Sequence, residues 1–87
     1  MADRLLLFFG DECKHCKVMD PLVEQLEQEL KIKITKLETW HNAKNAELRD
    51  KLDKVDCRGV PFFFNEKTGK ALCGSVPYAT LKKWATR

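Results

Sequence analysis

Apolar and polar positions divide the chain into seven short elements. The run Arg4–Phe9 is continuously apolar beyond its first residue, the pattern of a strand covered on both faces. From about Cys13 to Leu30, residues Met19, Leu22, Val23, Leu26 and Leu30 recur at three-and-four spacing and predict one buried helical face. Ile32 and Ile34 alternate within "IKITKLETW" and predict a second strand. A polar helix follows, roughly Ala43 to Val55, with Leu48, Leu52 and Val55 turned inward. "VPFFFNEKTGKALCG" reads as two strands joined by a tight turn at Asn65–Lys70, where Gly69 supplies a positive φ. A last helix, about Tyr78 to Ala85, places Leu81 and Trp84 on one side. Phe62, Phe63 and Phe64 are expected in the strand core, and Trp40 and Trp84 are expected to pack rather than to form a binding platform.

The resulting order is β-α-β-α-β-β-α. Two strands separated by a full helix run parallel through a right-handed crossover, whereas a tight hairpin is antiparallel. The expected architecture is therefore an α/β domain spanning residues 1–87, with a four-stranded mixed sheet and helices on both faces. The chain holds no internal repeat and no low-complexity linker.

Composition narrows the functional classes. The 87 residues carry 16 basic and 13 acidic side chains, a net charge of +3, with both signs spread along the chain. No basic block marks a nucleic-acid or membrane surface. "LLLFF" is too short for the core of an export signal or for a membrane span and runs into Asp11 and Glu12. The expectation is a cytoplasmic monomer that engages neither nucleic acid nor membrane. Four cysteines in such a chain are not expected to form a disulfide scaffold.

The chemistry concentrates in "DECKHCK". Cys13 falls at the first turn of the first helix, where unpaired N–H groups and the helix dipole favour a thiolate and lower its pKa below the free value of about 8.5. Cys16, one turn on, can reach the same sulfur. This spacing supplies an exposed nucleophile and a resolving thiol. Lys14 and His15 add positive charge or a hydrogen bond to the thiolate, and Glu12 opposes them. Electron exchange, soft-metal binding and simple packing remain open on spacing alone. Cys57 and Cys73 read as separate small thiols rather than as a second pair. Neither His15 nor His41 shares a ligand-like spacing with the cysteines, so no metal site is assigned. In "CRGVP", a Val60–Pro61 bond directly before a strand is a candidate cis peptide. It would leave the Val60 backbone free to pair with an extended peptide.

Taken together, "CKVMDPL", with Lys17 after the second cysteine and Pro21 five residues beyond it, "KL" at Lys36–Leu37, "RGVP" at Arg58–Pro61 and the lone Gly74 resemble the thioredoxin superfamily over nearly the whole chain. That resemblance implies a thiol–disulfide oxidoreductase that reduces protein disulfides through Cys13 and Cys16. It implies a substrate strand held by Val60 and Pro61 on one side and by Gly74 and Ser75 on the other. No bound cofactor is implied beyond the redox-active Cys13–Cys16 disulfide, and a thioredoxin-reductase-type or glutathione system would recycle it. The chain departs from that pattern in several places. It begins at the strand before the motif, Glu12 stands where a Trp is usual, and Leu7 replaces a buried acid. CKHC replaces CGPC, and His before the second cysteine resembles strongly oxidising disulfide-forming enzymes. Asp11 and "CGS" offer half of a glutaredoxin-type glutathione site. The alternatives are thus a disulfide-forming oxidant, a glutathione-dependent reductase, and a Cu(I) or zinc metallochaperone. Copper carriers of this size order their elements β-α-β-β-α-β and have no need of Val-Pro before a strand.

Overall fold

The two all-apolar runs become neighbouring central strands. In the computed structural model, which describes residues 5–57 and 59–86, β1 (Leu5–Phe9) pairs antiparallel with β3 (Phe62–Asn65), with Leu7 opposite Phe63 and Phe8 opposite Phe62. On its other side β1 pairs parallel with β2 (Thr35–Glu38) through the crossover helix α1 (Lys14–Leu30). β4 (Ala71–Cys73) completes the sheet as an edge strand antiparallel to β3, in the order β2-β1-β3-β4. Helices α2 (Ala43–Leu52) and α3 (Tyr78–Thr86) complete the element order β-α-β-α-β-β-α. This is the four-stranded mixed sheet expected from the apolar pattern, and it matches the thioredoxin-like fold that the resemblance implied. Arg4 and Arg58 lie outside the described residues.

Period-two alternation sends successive side chains of the central strands to opposite faces. Leu7 and Phe63 join Met19, Val23 and Leu26 of α1, Leu81 and Trp84 of α3, and Ile34 in one core. Leu6, Phe8 and Phe62 point the other way, against Leu48 and Leu52 of α2. Both faces need apolar residues, which is why neither run alternates. Phe63 meets Trp84 edge-on at 5.4 Å, and Phe8 lies 5.9 Å from Phe62. The hairpin between β3 and β4 turns at Gly69, whose φ of 76° falls in the left-handed region. Asn65 is buried beneath it and donates to the Trp84 carbonyl at 2.8 Å, while its Oδ1 accepts the Lys67 and Thr68 N–H groups.

Two boundaries differ from the sequence expectation. β2 starts at Thr35, after Ile32 and Ile34, because the Ile34 N–H goes to the Glu27 carboxylate at 2.9 Å instead of to a neighbouring strand. Upstream, Lys31 at φ 54° ends α1 in a left-handed turn. α2 stops at Leu52, and Val55 is 53% exposed rather than turned inward. Here Asp53 leaves the helix, and its carboxylate takes the Cys57 N–H at 2.8 Å and Arg49 at 3.3 Å. Trp40 packs its ring over Gly10, where a Cβ would overlap it, and remains 53% exposed.

The two-sided core sets a stability test. Phe63→Ala should cost about 3–5 kcal/mol by removing a fully buried ring from the centre of the sheet. Val18→Ala, at a site 61% exposed on α1, should change stability by less than about 0.5 kcal/mol. Denaturant unfolding of both variants checks the pair, and similar losses would contradict this assignment of the core.

Candidate active site

β1 ends at Phe9, and a short turn carries the chain into α1, with the Cys13 N–H bonded to the Gly10 carbonyl at 3.0 Å. Cys13 is the N-cap of α1: its backbone is extended, and its sulfur accepts the Cys16 N–H at 3.1 Å. Capping of this kind satisfies an orphan donor of the first turn and places that partial positive charge on the sulfur. Cys13 and Cys16 are joined as a disulfide, with Cα atoms 5.3 Å apart. The expected exposed nucleophile is largely covered: Cys13 is 5% accessible and Cys16 4%. Part of the cover is Val60, whose carbonyl oxygen lies 3.8 Å from the Cys13 sulfur.

Val60 and Pro61 arrive beside Cys13 because Phe8 pairs with Phe62, which puts the end of β1 next to the start of β3. The Val60–Pro61 peptide bond is cis. Across from it, Gly74 has φ 77° and donates its N–H to the Pro61 carbonyl at 2.8 Å. A side chain at Gly74 would meet open space, so the backbone conformation alone calls for glycine. Ser75 beside it is exposed, and the Val76 N–H reaches the Met19 sulfur at 3.4 Å, tying this segment to α1. Cys13, Val60, Pro61 and Gly74 are thus brought together at one end of the sheet. Lys14 and His15 are exposed on the outer side of the first turn, and among the described residues neither hydrogen-bonds to the Cys13 sulfur. On the other side of the pair, a cleft of about 300 Å³ runs behind Cys16, lined by Leu7, Lys17, Asp20, Glu24 and Lys36. Cys13, Val60 and Pro61 take no part in it.

Three features of the site escaped the sequence reading. The first is a brace on the turn before Cys13. Glu38 accepts the backbone N–H groups of His41 at 2.8 Å, Trp40 at 3.1 Å and Asp11 at 3.2 Å. Partial desolvation pushes the Glu38 carboxyl up, but the N–H groups of His41 and Asp11 outweigh it, and the net direction is down. His41 in turn pairs with Glu12 at 2.9 Å, so the acid that seemed to oppose the thiolate has its own counter-ion. Asp11, Glu38 and His41 offer metal-type ligand atoms within 4.8 Å of one another, and the Glu38 carboxylate and His41 ring are already engaged in these bonds. The second feature is Arg49, buried on α2. It donates to the Gly59 carbonyl at 3.1 Å, pairs with Asp50 and Asp53, and lies over the Phe62 ring at 5.5 Å. Its signal in the sequence was "LRDKLD", a cation with acids one and four positions on.

The third feature corrects an expectation. Cys57 and Cys73 are not separate thiols but a second disulfide, with Cα atoms 5.6 Å apart. Hairpin pairing puts Cys73 opposite Phe62, and the loop before Pro61 brings Cys57 back to the same place. Sixteen positions of sequence separation hid this proximity.

The thioredoxin family model matches residues 2–87. The chain belongs to the thioredoxin family. Among solved structures it is similar to the short form of thioredoxin f from spinach chloroplast, at 27% identity and a TM-score of 0.71 over 99% of this chain and 80% of that one. It is also similar in fold to a glutaredoxin from Archaeoglobus fulgidus, at 16% identity and a TM-score of 0.66 over 100% and 89%. Chloroplastic thioredoxin z superposes with a TM-score of 0.63 at 24% identity, over 95% and 76%. No curated protein sequence matches the chain. A thioredoxin fold carrying an adjacent cysteine pair supports thiol–disulfide oxidoreductase chemistry in general. No helix among the described residues is long and apolar enough to cross a membrane.

The Glu12–His41 pair makes a prediction. The Glu12 hydrogen bond and charge raise the His41 pKa above its ordinary 6.5. A raised value means that the ion pair is complete below about pH 6.5 and is lost as pH rises through the higher folded-state value. In Glu12→Gln, the His41 titration followed by NMR should fall back toward the ordinary value. An unchanged midpoint would contradict the pairing.

Proposed function

We propose that this protein reduces protein disulfides through a Cys13–Cys16 dithiol. The observation that carries the proposal is the Cys16 N–H directed at the Cys13 sulfur from the first turn of α1, beside the Val60 carbonyl. In the reduced protein the Cys13 thiolate attacks one sulfur of a substrate disulfide. The other substrate sulfur leaves as a thiolate and takes up a proton, and Cys13 is left in a mixed disulfide. Cys16 then loses its proton, attacks the Cys13 sulfur and expels the second substrate thiolate. Two electrons have passed to the substrate, and Cys13–Cys16 is a disulfide again.

The backbone of Val60 would pair with the extended substrate segment, with Gly74 and Ser75 on the opposite lip. Lys14 contributes positive charge near the first turn, beside His15. Leu7, 2% exposed, supplies no proton carrier beneath the pair, so the proton of Cys16 leaves through the cleft lined by Lys17 and Asp20. No bound cofactor is needed. A thioredoxin-reductase-type dithiol or glutathione restores the dithiol, and the protein works as a cytoplasmic monomer. The same hydrogen bond admits an oxidant as the second reading: donated to a Cys13 thiolate in the reduced protein, it would stabilise that form and make the disulfide more oxidising.

Insulin reduction tests the roles. Cys13→Ser should abolish turnover without trapping substrate. Cys16→Ser should accumulate a covalent insulin adduct on Cys13, visible by mass spectrometry. Loss of activity in both variants with an adduct in neither would refute the assignment. Supplying thioredoxin reductase with NADPH in one arm and glutathione with glutathione reductase in another identifies the recycling partner.

A further inference from the structure

We propose that Cys57–Cys73 is a second thiol–disulfide exchange site, and that its redox state sets the placement of the Val60–Pro61 and Gly74–Ser75 segments beside Cys13. The role of these segments in binding rests on the function proposed above, whereas the exchange chemistry does not. Cys57 opens the loop that leads into Pro61, and Cys73 is the last residue of β4, immediately before Gly74. The bond therefore joins the two lips, Val60–Pro61 and Gly74–Ser75, between which the proposed substrate segment lies.

Among the described residues, few other contacts hold those lips to each other. Arg49 to the Gly59 carbonyl and Asp53 to the Cys57 N–H both tie the loop to α2. The lips themselves are joined by the Gly74 to Pro61 hydrogen bond and by the first pairing of a three-residue edge strand. Breaking the covalent tie leaves the Gly74 to Pro61 bond, one strand pairing and the Val76 N–H to Met19 contact to position Gly74 and Ser75, a short segment of the kind that opens locally at low cost.

The two sulfurs are not equivalent. Cys73 is exposed and Cys57 is half-buried, with its sulfur 3.8 Å from the Gly59 carbonyl oxygen. An incoming small monothiol of the glutathione class, as its thiolate, attacks the Cys73 sulfur, and Cys57 leaves and takes up a proton. The Cys57 thiol then has the Gly59 carbonyl as its acceptor. A second monothiol attacks the incoming sulfur of the mixed disulfide and releases Cys73 as a thiol. Two monothiols become one small disulfide, and the protein gains two thiols.

The test begins with the Cys13→Ser, Cys16→Ser double variant, in which only this pair can exchange. Folded protein is equilibrated in graded mixtures of reduced and oxidised glutathione, alkylated and weighed by mass spectrometry. The expected result is one two-electron step from disulfide to dithiol with an unchanged circular-dichroism spectrum. Adding Cys57→Ser should leave a glutathione adduct on Cys73, whereas adding Cys73→Ser should leave Cys57 largely unmodified. Amide hydrogen exchange over residues 59–62 and 74–76 should be about tenfold faster in the dithiol form. A pair that stays oxidised until the protein unfolds, or equal exchange in both forms, would overturn the inference. With Cys13 and Cys16 intact, Cys57→Ser with Cys73→Ser should raise the insulin KM about tenfold, more than it lowers kcat. Failure of the parent protein to reduce insulin would sink the proposed function and leave the glutathione and exchange results to decide this site.

Discussion

The antiparallel pairing of Phe8 with Phe62 is the constraint from which the rest of the site follows. It aligns the end of β1 with the start of β3, so the loop that carries Cys13 and the loop that carries Pro61 meet at the same end of the sheet. Both strands are covered on two faces, and slipping β3 by one residue against β1 would turn Phe63 into the core meant for Leu6, Phe8 and Phe62. The core thereby enforces the register, and the register brings the chemistry together. Cys13 then needs only the turn from Gly10 to become the N-cap of α1.

Around that meeting point the loops are braced from outside by charge. Glu38 gathers three backbone N–H groups from the two loops flanking β1 and β2, and Arg49 holds the Gly59 carbonyl from α2. Buried arginines are uncommon unless paired, and this one has two carboxylates, a carbonyl and an aromatic face. At the far end of α1, Glu29 bonds Tyr78 at 2.6 Å and pairs with Lys82, locking α3 against α1. That bond to the Glu29 carboxylate pushes the Tyr78 phenol up to about 12. Glu29 itself is held below the usual carboxylate range by Lys82 and Tyr78.

How much of this could be read from the sequence depended on the range of the interaction. Runs such as "LLLFF" and "FFF", the helical spacing from Met19 to Leu30 and the turn at Gly69 are local patterns, and they carried the element order and the sheet. The cysteine pair was legible because its spacing is one helical turn. Cys57 with Cys73, Arg49 with Gly59 and Glu12 with His41 join positions brought together only by the sheet, and no periodicity marks them. The early ends of α2 and late start of β2 have the same origin: Asp53 and Glu27 divert backbone groups to side chains, a choice that apolar patterning does not record.

Cys13 differs from Cys16 mainly in where the helix puts it: one sulfur receives an N–H, while the other faces the cleft and the core. The most direct test of this asymmetry is competitive alkylation of the fully reduced protein by iodoacetamide, with the sites of modification read by peptide mass spectrometry. The account predicts that at neutral pH Cys13 is modified about ten times faster than Cys16, as a thiolate favoured at a helix N-terminus should be. Equal labelling of the two, or faster labelling of Cys16, would contradict it.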